Sequence, residues 1–349
     1  MIDWSGEHAL TALTHLDGRN AGKLLALRPY FSELAWMKRR LAIMGDYAIA
    51  AEEAVTRKHV PQTYRSFITR IAGQFSVVDG ETVRRYEQAV NHDVKAIERF
   101  LAKKMHSSPH GSHGRFLNLG IGSEDINGIA LSTSLLDAAK VVLTPLFTSV
   151  LCALVALAQE EKNTLMVART HAQPANLTTF GKEMAVFISR LTEEYRVFGA
   201  SQLSAKCSGE AGSFQAQWAA DQQVDWISFQ QKFVRAHGLI PSLGSTQLAP
   251  YEAIIRFLQS MGRLNSILID YAQDMWEYVL LGYVVVLPVA AEVGSAGMPH
   301  KVNPIFFEGA EGGLRMANGI IETLSRNLPI NRLQRDFSDS TLRRNIPLV

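Results

Sequence analysis

The chain has 349 residues, 47% of them hydrophobic, which is enough to bury a large core or to divide into two or three domains. Its 35 basic and 33 acidic residues leave a formal charge of +2, so nothing in the balance marks a nucleic-acid surface. Cys152 and Cys207 are too few for a disulfide framework and lack metal-ligand spacing, which points to a reducing, cytoplasmic setting.

Residues 1–20, MIDWSGEHALTALTHLDGRN, carry no basic region followed by an apolar one, so no export signal is expected. The region up to about residue 105 reads as a smaller helical part. It includes VNHDVKA, where His92 stands beside Asp93, a carboxylate able to fix its tautomer; a solvated helix face is the plainer reading. HSSPHGSHG, residues 106–114, is rich in Gly, Ser, Pro and His and reads as a boundary loop. His106, His110 and His113 have neither cysteine nor carboxylate close by in that segment, so no metal is expected there. The division that follows is an N-terminal helical domain, 1–112, and a long-helix bundle, 113–349.

GSEDIN, residues 122–127, reads as a helix start with Ser123 as N-cap and acidic residues in the first turn. The apolar positions Leu146, Val150, Leu154 and Leu157 follow Pro145, which should kink or start that helix. ARTHAQPANLTTFGKEMA, residues 168–185, sets Arg169, Thr170, His171 and Gln173 ahead of a long helix, with Pro174 at the join. That helix carries Phe180, Met184, Phe187, Leu191 and Phe198 on one face. From Ile254 to Tyr278, apolar residues at 254, 257, 261, 264, 268, 271, 275 and 278 alternate steps of three and four, the pattern of a helix seam packed on other long helices. Alternating strands are nearly absent; the nearest candidate is the β-branched run 284–289. The apolar stretch 279–291 is too short for a membrane span and is broken by Gly282 and Pro288, so a soluble protein is expected. The fold class is therefore all-α.

GSAGMPHKVNP, residues 294–304, places a hydroxyl (Ser295) between glycines and ends in Lys301 and Asn303-Pro304. Asn303 could cap a helix beginning at Pro304, whose N-terminus would then face Lys301 and Ser295 as an anion site. NRLQRDFSDSTLRRN, residues 331–345, gathers arginines and hydroxyls suited to phosphate; Asp336 and Asp339 could equally pair them.

The order NHD, SEDIN, RTHxQPA, GSxxMPxKxNP is similar to the signature set of the fumarase/aspartase superfamily. The wording LDGR, NHDVKA, SEDIN, GKEM, MPHKVNP and QRDFSDS resembles its bacterial-type adenylosuccinate lyases, from about Leu10 to Asn345. The resemblance implies elimination of fumarate from adenylosuccinate, giving AMP, and from the succinyl-aminoimidazole-carboxamide ribotide, giving AICAR. It implies Ser295 as general base, His171 as general acid and His92 as a second active-site histidine. Lys301 and Asn303 match the groups on the substrate carboxylate. Ser123 and Gln247 match substrate contacts, with Asn91, Asp93 and Thr170 beside the catalytic histidines. Arg19, Arg335, Ser340 and Arg344 match the phosphate site. The partner implied is a small nucleotide substrate in a homotetramer whose sites are shared between subunits, with no metal, cofactor, nucleic acid or membrane.

Several positions depart from the family wording: Asn20 after LDGR, Gly122 before SEDIN, Ala172 within RTHxQPA, and Ala296-Gly297 after Ser295. The family also continues past LRN into a C-terminal helical domain that this chain, ending at Val349, is expected to lack. Two alternatives follow: a non-catalytic truncated paralogue that keeps scaffold and nucleotide binding, and a lyase for a non-nucleotide succinyl compound.

Overall fold

The computed structural model describes residues 11–289, 294, 297, 298 and 300–349. Helices supply nearly all of the regular structure, as the all-α reading expects. The chain forms two compact units that do not follow chain order. The first is Met1–Leu143, Gln202–Pro250 and Arg332–Arg335; the second is Thr144–Ser201, Tyr251–Asn331 and Asp336–Val349.

The first unit is built on helix α2 (Glu33–Thr56), which follows the short α1 (Arg28–Phe31). Ser32 separates them, its hydroxyl accepting from Ala35 N at 3.2 Å as an N-cap. Met37, Leu41, Met44, Ala48 and Ala51 recur at steps of four and three and are buried, so one helical face enters the core. Helices α3 (Gln62–Gly73), α5 (Asp93–His106) and α6 (Ser123–Ala138) pack on α2, and α4 (Val77–Val90) packs on α5. The approach of α3 requires glycine at position 45, where a Cβ would run into the Ile68 side chain. The unit is completed by α9 (Gln215–Ala220), α10 (Trp226–Ala236) and the two-residue parallel pair β3 (Ser204–Ala205) and β4 (Ile240–Pro241). In the histidine-rich segment, His113 Nδ1 lies 2.7 Å from Glu52 Oε2 and its ring stacks on Tyr64 at 4.2 Å. His110 and His113 serve packing around Tyr64 and Phe67, and His106 is exposed.

The second unit is a set of long helices. Helix α8 (Phe180–Gly199) buries Phe180, Met184, Phe187, Leu191 and Phe198, the five residues of its sequence pattern. It runs antiparallel to α11 (Glu252–Leu280): Phe180 meets Tyr278, Phe187 meets Tyr271 and Phe198 meets Phe257, with ring centroids 5.1–5.8 Å apart. Helix α12 (Ile305–Asn327) returns along α11, joined by Asn265 Nδ2 donating to Asn318 Oδ1 at 3.0 Å. A short α13 (Ser338–Arg343) follows. The seam read over 254–278 is thus one continuous helix packed between two others.

Three expectations can be set against the structure. The strands lie inside the RTHxQPA region as the hairpin of β1 (Leu165–Thr170) and β2 (Gln173–Thr179), while 285–289 has no regular structure. Exposure explains the miss: most hairpin residues face solvent, so no apolar alternation marks them. Second, α7 (Thr144–Glu160) joins α6 through a π-helical stretch, Ala139–Leu143, just ahead of Pro145. Pro145 lacks the N–H that an α-helix would offer to Val141, which loosens the helix at that turn. Third, the helical run Ser123–Glu160 is, by length and composition alone, long and apolar enough to cross a membrane. Its seam is only partly covered within the chain: Leu154 is buried, but Leu146 and Val150 are exposed.

Candidate active site

Two groups of the expected site residues assemble in the first unit. The first centres on the start of α6. Ser123 is its first helical residue, and Gly122, not Ser123, holds the N-cap position. Asp125 caps the helix by accepting from Gly122 N at 2.8 Å, which leaves the half-buried Ser123 hydroxyl outside that duty. The same carboxylate accepts from Lys206 Nζ at 2.6 Å, Ser208 N at 3.1 Å and Gly209 N at 3.0 Å. Burial pushes the Asp125 carboxyl above its ordinary range, while Lys206 and these donors pull it back. Lys206 Nζ also donates to Gly209 O at 2.6 Å, so one fully buried ion pair fixes residues 206–209 against the helix start.

Onto this frame come Gln247 and Arg335, from distant parts of the chain. Arg335 Nη2 lies 3.1 Å from Glu124 Oε1, and Arg335 Nη1 donates to Gln247 Oε1 at 3.2 Å. The other end of the Gln247 amide donates to Glu210, a residue that sequence reasoning did not single out. Position alone offers no motif for Glu210; only the fold brings it to Gly122. Sequence reasoning also missed Glu124 as the buried partner of Arg335.

The second group is Asn91, His92 and Asp93. Asn91 ends α4 in the left-handed region at φ 50, a conformation that Asn tolerates. His92 caps α5, its Nδ1 accepting from Lys95 N at 3.2 Å. A ring nitrogen that accepts is unprotonated, so the neutral His92 carries its proton on Nε2. The backbone therefore sets the tautomer, and Asp93 does not. Asp93 Oδ2 pairs with Arg40 Nη2 at 3.1 Å, Arg40 being nearly fully buried, and Asp93 Oδ1 accepts from Val94 N at 2.8 Å. Arg19 is exposed in a turn of the same unit.

In the second unit, His171 and Ala172 form the two-residue tip of the β1–β2 hairpin, at φ 53 and 61. Both angles positive is the turn geometry that fits a two-residue hairpin. Thr170 and Gln173 pair directly beneath the tip. Arg169 Nη1 donates to Ala172 O at 3.1 Å and so braces the turn. Ser295 lies outside the described residues. Asn303 does not cap α12: Pro304 holds that position, and Asn303 Nδ2 donates back to Gly294 O at 3.2 Å. Glycine at 294 serves close approach, because a Cβ there would collide with Lys301 O. Lys301 is exposed. Ser340 is buried and accepts from Arg343 Nη2 at 3.4 Å, with Asp339 Oδ2 3.7 Å from Arg343 Nη1, whereas Arg344 is exposed.

A cavity of about 880 Å3 in the first unit, lined by Arg28, Lys38, Arg39, Asp46, Phe75 and His237 among others, contains none of these residues. Among the described residues no cluster of His, Cys, Asp and Glu could hold a metal ion. Cys207 is buried, and burial together with Asp125 pushes its thiol up, which leaves it unreactive.

The helical order and the long antiparallel helices define an all-α bundle fold. Solved structures bear this out: a fumarate lyase from Mesorhizobium aligns with a TM-score of 0.71 at 21% identity, covering 92% of this chain and 70% of that one. The β-carboxy-cis,cis-muconate cycloisomerase of Acinetobacter calcoaceticus aligns with a TM-score of 0.72 at 15% identity, covering 95% and 71%. A family model described as lyase matches residues 27–319, and the chain belongs to that family. Within it, the chain is similar to curated adenylosuccinate lyases. The enzyme of Dictyostelium discoideum is 39% identical over 97% of this chain and 74% of its own length. Those of Legionella pneumophila and Escherichia coli are 36% and 35% identical, each over 97% of this chain and 75% of their own.

Proposed function

We propose that this chain is an adenylosuccinate lyase, a C–N lyase that eliminates fumarate from adenylosuccinate to give AMP, and from the succinyl-aminoimidazole-carboxamide ribotide to give AICAR. The observation that carries the reading is identity to enzymes of that name over nearly the whole chain. It favours an enzyme over a non-catalytic scaffold.

In this reading Ser295 removes a proton from the succinyl carbon beside a carboxylate, the carbon–nitrogen bond breaks, and His171 protonates the departing nitrogen. A serine is a weak base in water, so the reaction requires a closed, water-poor site. Lys301 and Asn303 hold the carboxylate on which charge builds as the proton leaves. His92, protonated on Nε2, donates a hydrogen bond and orients substrate. Asn91, Asp93 and Thr170 support the two histidines, and Ser123 and Gln247 contact substrate. Arg335, with Arg19, Ser340 and Arg344, receives the phosphate. The phosphate ligands argue against a substrate without a nucleotide.

The same proposal makes the active form a homotetramer with sites shared between subunits, acting in the cytoplasm without metal or cofactor. Exposed Leu146 and Val150 on α7, and Phe306 and Met316 on α12, support an assembly, since such apolar helix faces need cover.

Fumarate release from adenylosuccinate by the purified chain tests the activity. Ser295→Ala and His171→Ala should each be inactive, and their mixture, after subunit exchange, should regain part of the activity. Turnover by Ser295→Ala would end the base assignment. No recovery in the mixture would end the shared-site arrangement.

A further inference from the structure

Gly122 stands beside Ser123 with φ −103 and ψ 168, an extended conformation open to any residue, so its lack of a side chain is not a backbone requirement. It is a requirement of space. A Cβ at 122 would lie 2.5 Å from Glu210 Oε1 and 2.6 Å from Glu210 Cδ. The approach is fixed, because the buried Asp125 accepts from both Gly122 N and Gly209 N and so holds residues 122 and 209 one carboxylate apart. Glu210 itself is exposed, and its carboxylate accepts from the Gln247 amide. The opposite end of that amide is taken by Arg335, which also pairs with the buried Glu124. The amide is thereby oriented from both ends, with its donor turned to Glu210. Glu124 thus holds the guanidinium of Arg335, and Glu210 holds the amide that this guanidinium orients.

We propose that Glu210 is a specificity-determining residue of this site: its carboxylate holds the Gln247 amide that a ligand oxyanion, carboxylate or phosphate, would otherwise meet, and so weakens anion binding there. The inference rests on the lyase reading for the choice of ligands. A like charge at hydrogen-bonding distance opposes an incoming anion both by repulsion and by occupying the donor. Gly122 is what lets the carboxylate reach that place.

The test is direct calorimetric binding of succinate and of AMP to the unmodified protein, Glu210→Gln, Gly122→Ala and the double variant. Glu210→Gln removes the charge and keeps the shape; Gly122→Ala keeps the charge and pushes the side chain aside. Each should tighten one of the two anions by about tenfold, succinate where the subsite takes a carboxylate and AMP where it takes a phosphate. The double variant should gain no more than the larger single effect, because both changes relieve the same contact between the Glu210 carboxylate and the Gln247 amide. No gain for either anion, or gains that add, would overturn the proposal. Should Gly122→Ala fail to fold, Glu210→Gln decides alone, its side chain being exposed. Binding is read without turnover, so a protein that releases no fumarate would sink the lyase reading and leave this comparison intact.

Discussion

Lys206 Nζ lies 2.6 Å from Asp125 Oδ1, and both side chains are shielded from solvent. The pair joins the start of α6 to residues 206–209, 81 positions away, and thereby sets the floor on which Ser123 stands. Lys206→Met leaves a buried carboxylate with backbone donors only. It should destabilise the protein by about 3–5 kcal/mol, read as a lower midpoint in urea denaturation. Changing both residues, Asp125→Asn with Lys206→Met, should cost less than the two single changes summed, since no buried charge is then left unpaired.

His92 has two duties that one pair of substitutions separates. Its Nδ1 caps α5, and its Nε2–H points outward from that bond. His92→Ala should lose about 1 kcal/mol of stability with the cap. His92→Asn can cap equally well and should keep that stability, yet it lacks the imidazole donor and should remain as impaired in fumarate release as His92→Ala. Equal activity of His92→Asn and the unmodified protein would confine His92 to the cap.

Ala172 carries φ 61 at the tip of the hairpin that presents His171. A Cβ in the left-handed region costs about 1 kcal/mol, which glycine avoids. Ala172→Gly should raise the melting midpoint by the equivalent of about 1 kcal/mol without altering the β1–β2 register. A loss of stability would mean that the methyl group makes a contact of greater worth than the strain.

These elements show where sequence suffices. The seams of α8 and α11 are written in apolar spacing, and their antiparallel ring pairs follow from it. The hairpin of 165–179 is not, because an exposed two-stranded ribbon has no buried face to pattern its residues. Helix caps differ from the sequence pattern by one residue or one partner: Ser123 gives way to Gly122 and Asp125, and Asn303 turns back to Gly294. A cap depends on the local path of the backbone, which side-chain type alone does not fix. Motif wording named Gln247 and Arg335, but their partners come only from the fold: Glu124, within SEDIN, pairs with the distant Arg335, and Glu210 accepts from Gln247, 37 positions away.

The bundle itself contains a titrating site. Asp274 on α11 has its carboxyl pushed up to about 6, first by burial and then by Asp270, Glu277 and Glu183, with Arg190 opposing. A carboxyl whose folded value lies above its ordinary 3.8 binds its proton more tightly in the native state. Its contribution is fully present below about pH 4 and is lost as pH rises through 6, after which a constant penalty remains. At face value the rise corresponds to about 3 kcal/mol, but the group is half-exposed, and solvent screening reduces this to about 1 kcal/mol. Asp274→Asn should therefore be more stable than the unmodified protein by about 1 kcal/mol at pH 8, with the difference shrinking toward zero near pH 4. Denaturation midpoints measured across that range check the sign: a gap that widens on acidification would place the Asp274 carboxyl below its ordinary value and assign its control to Arg190.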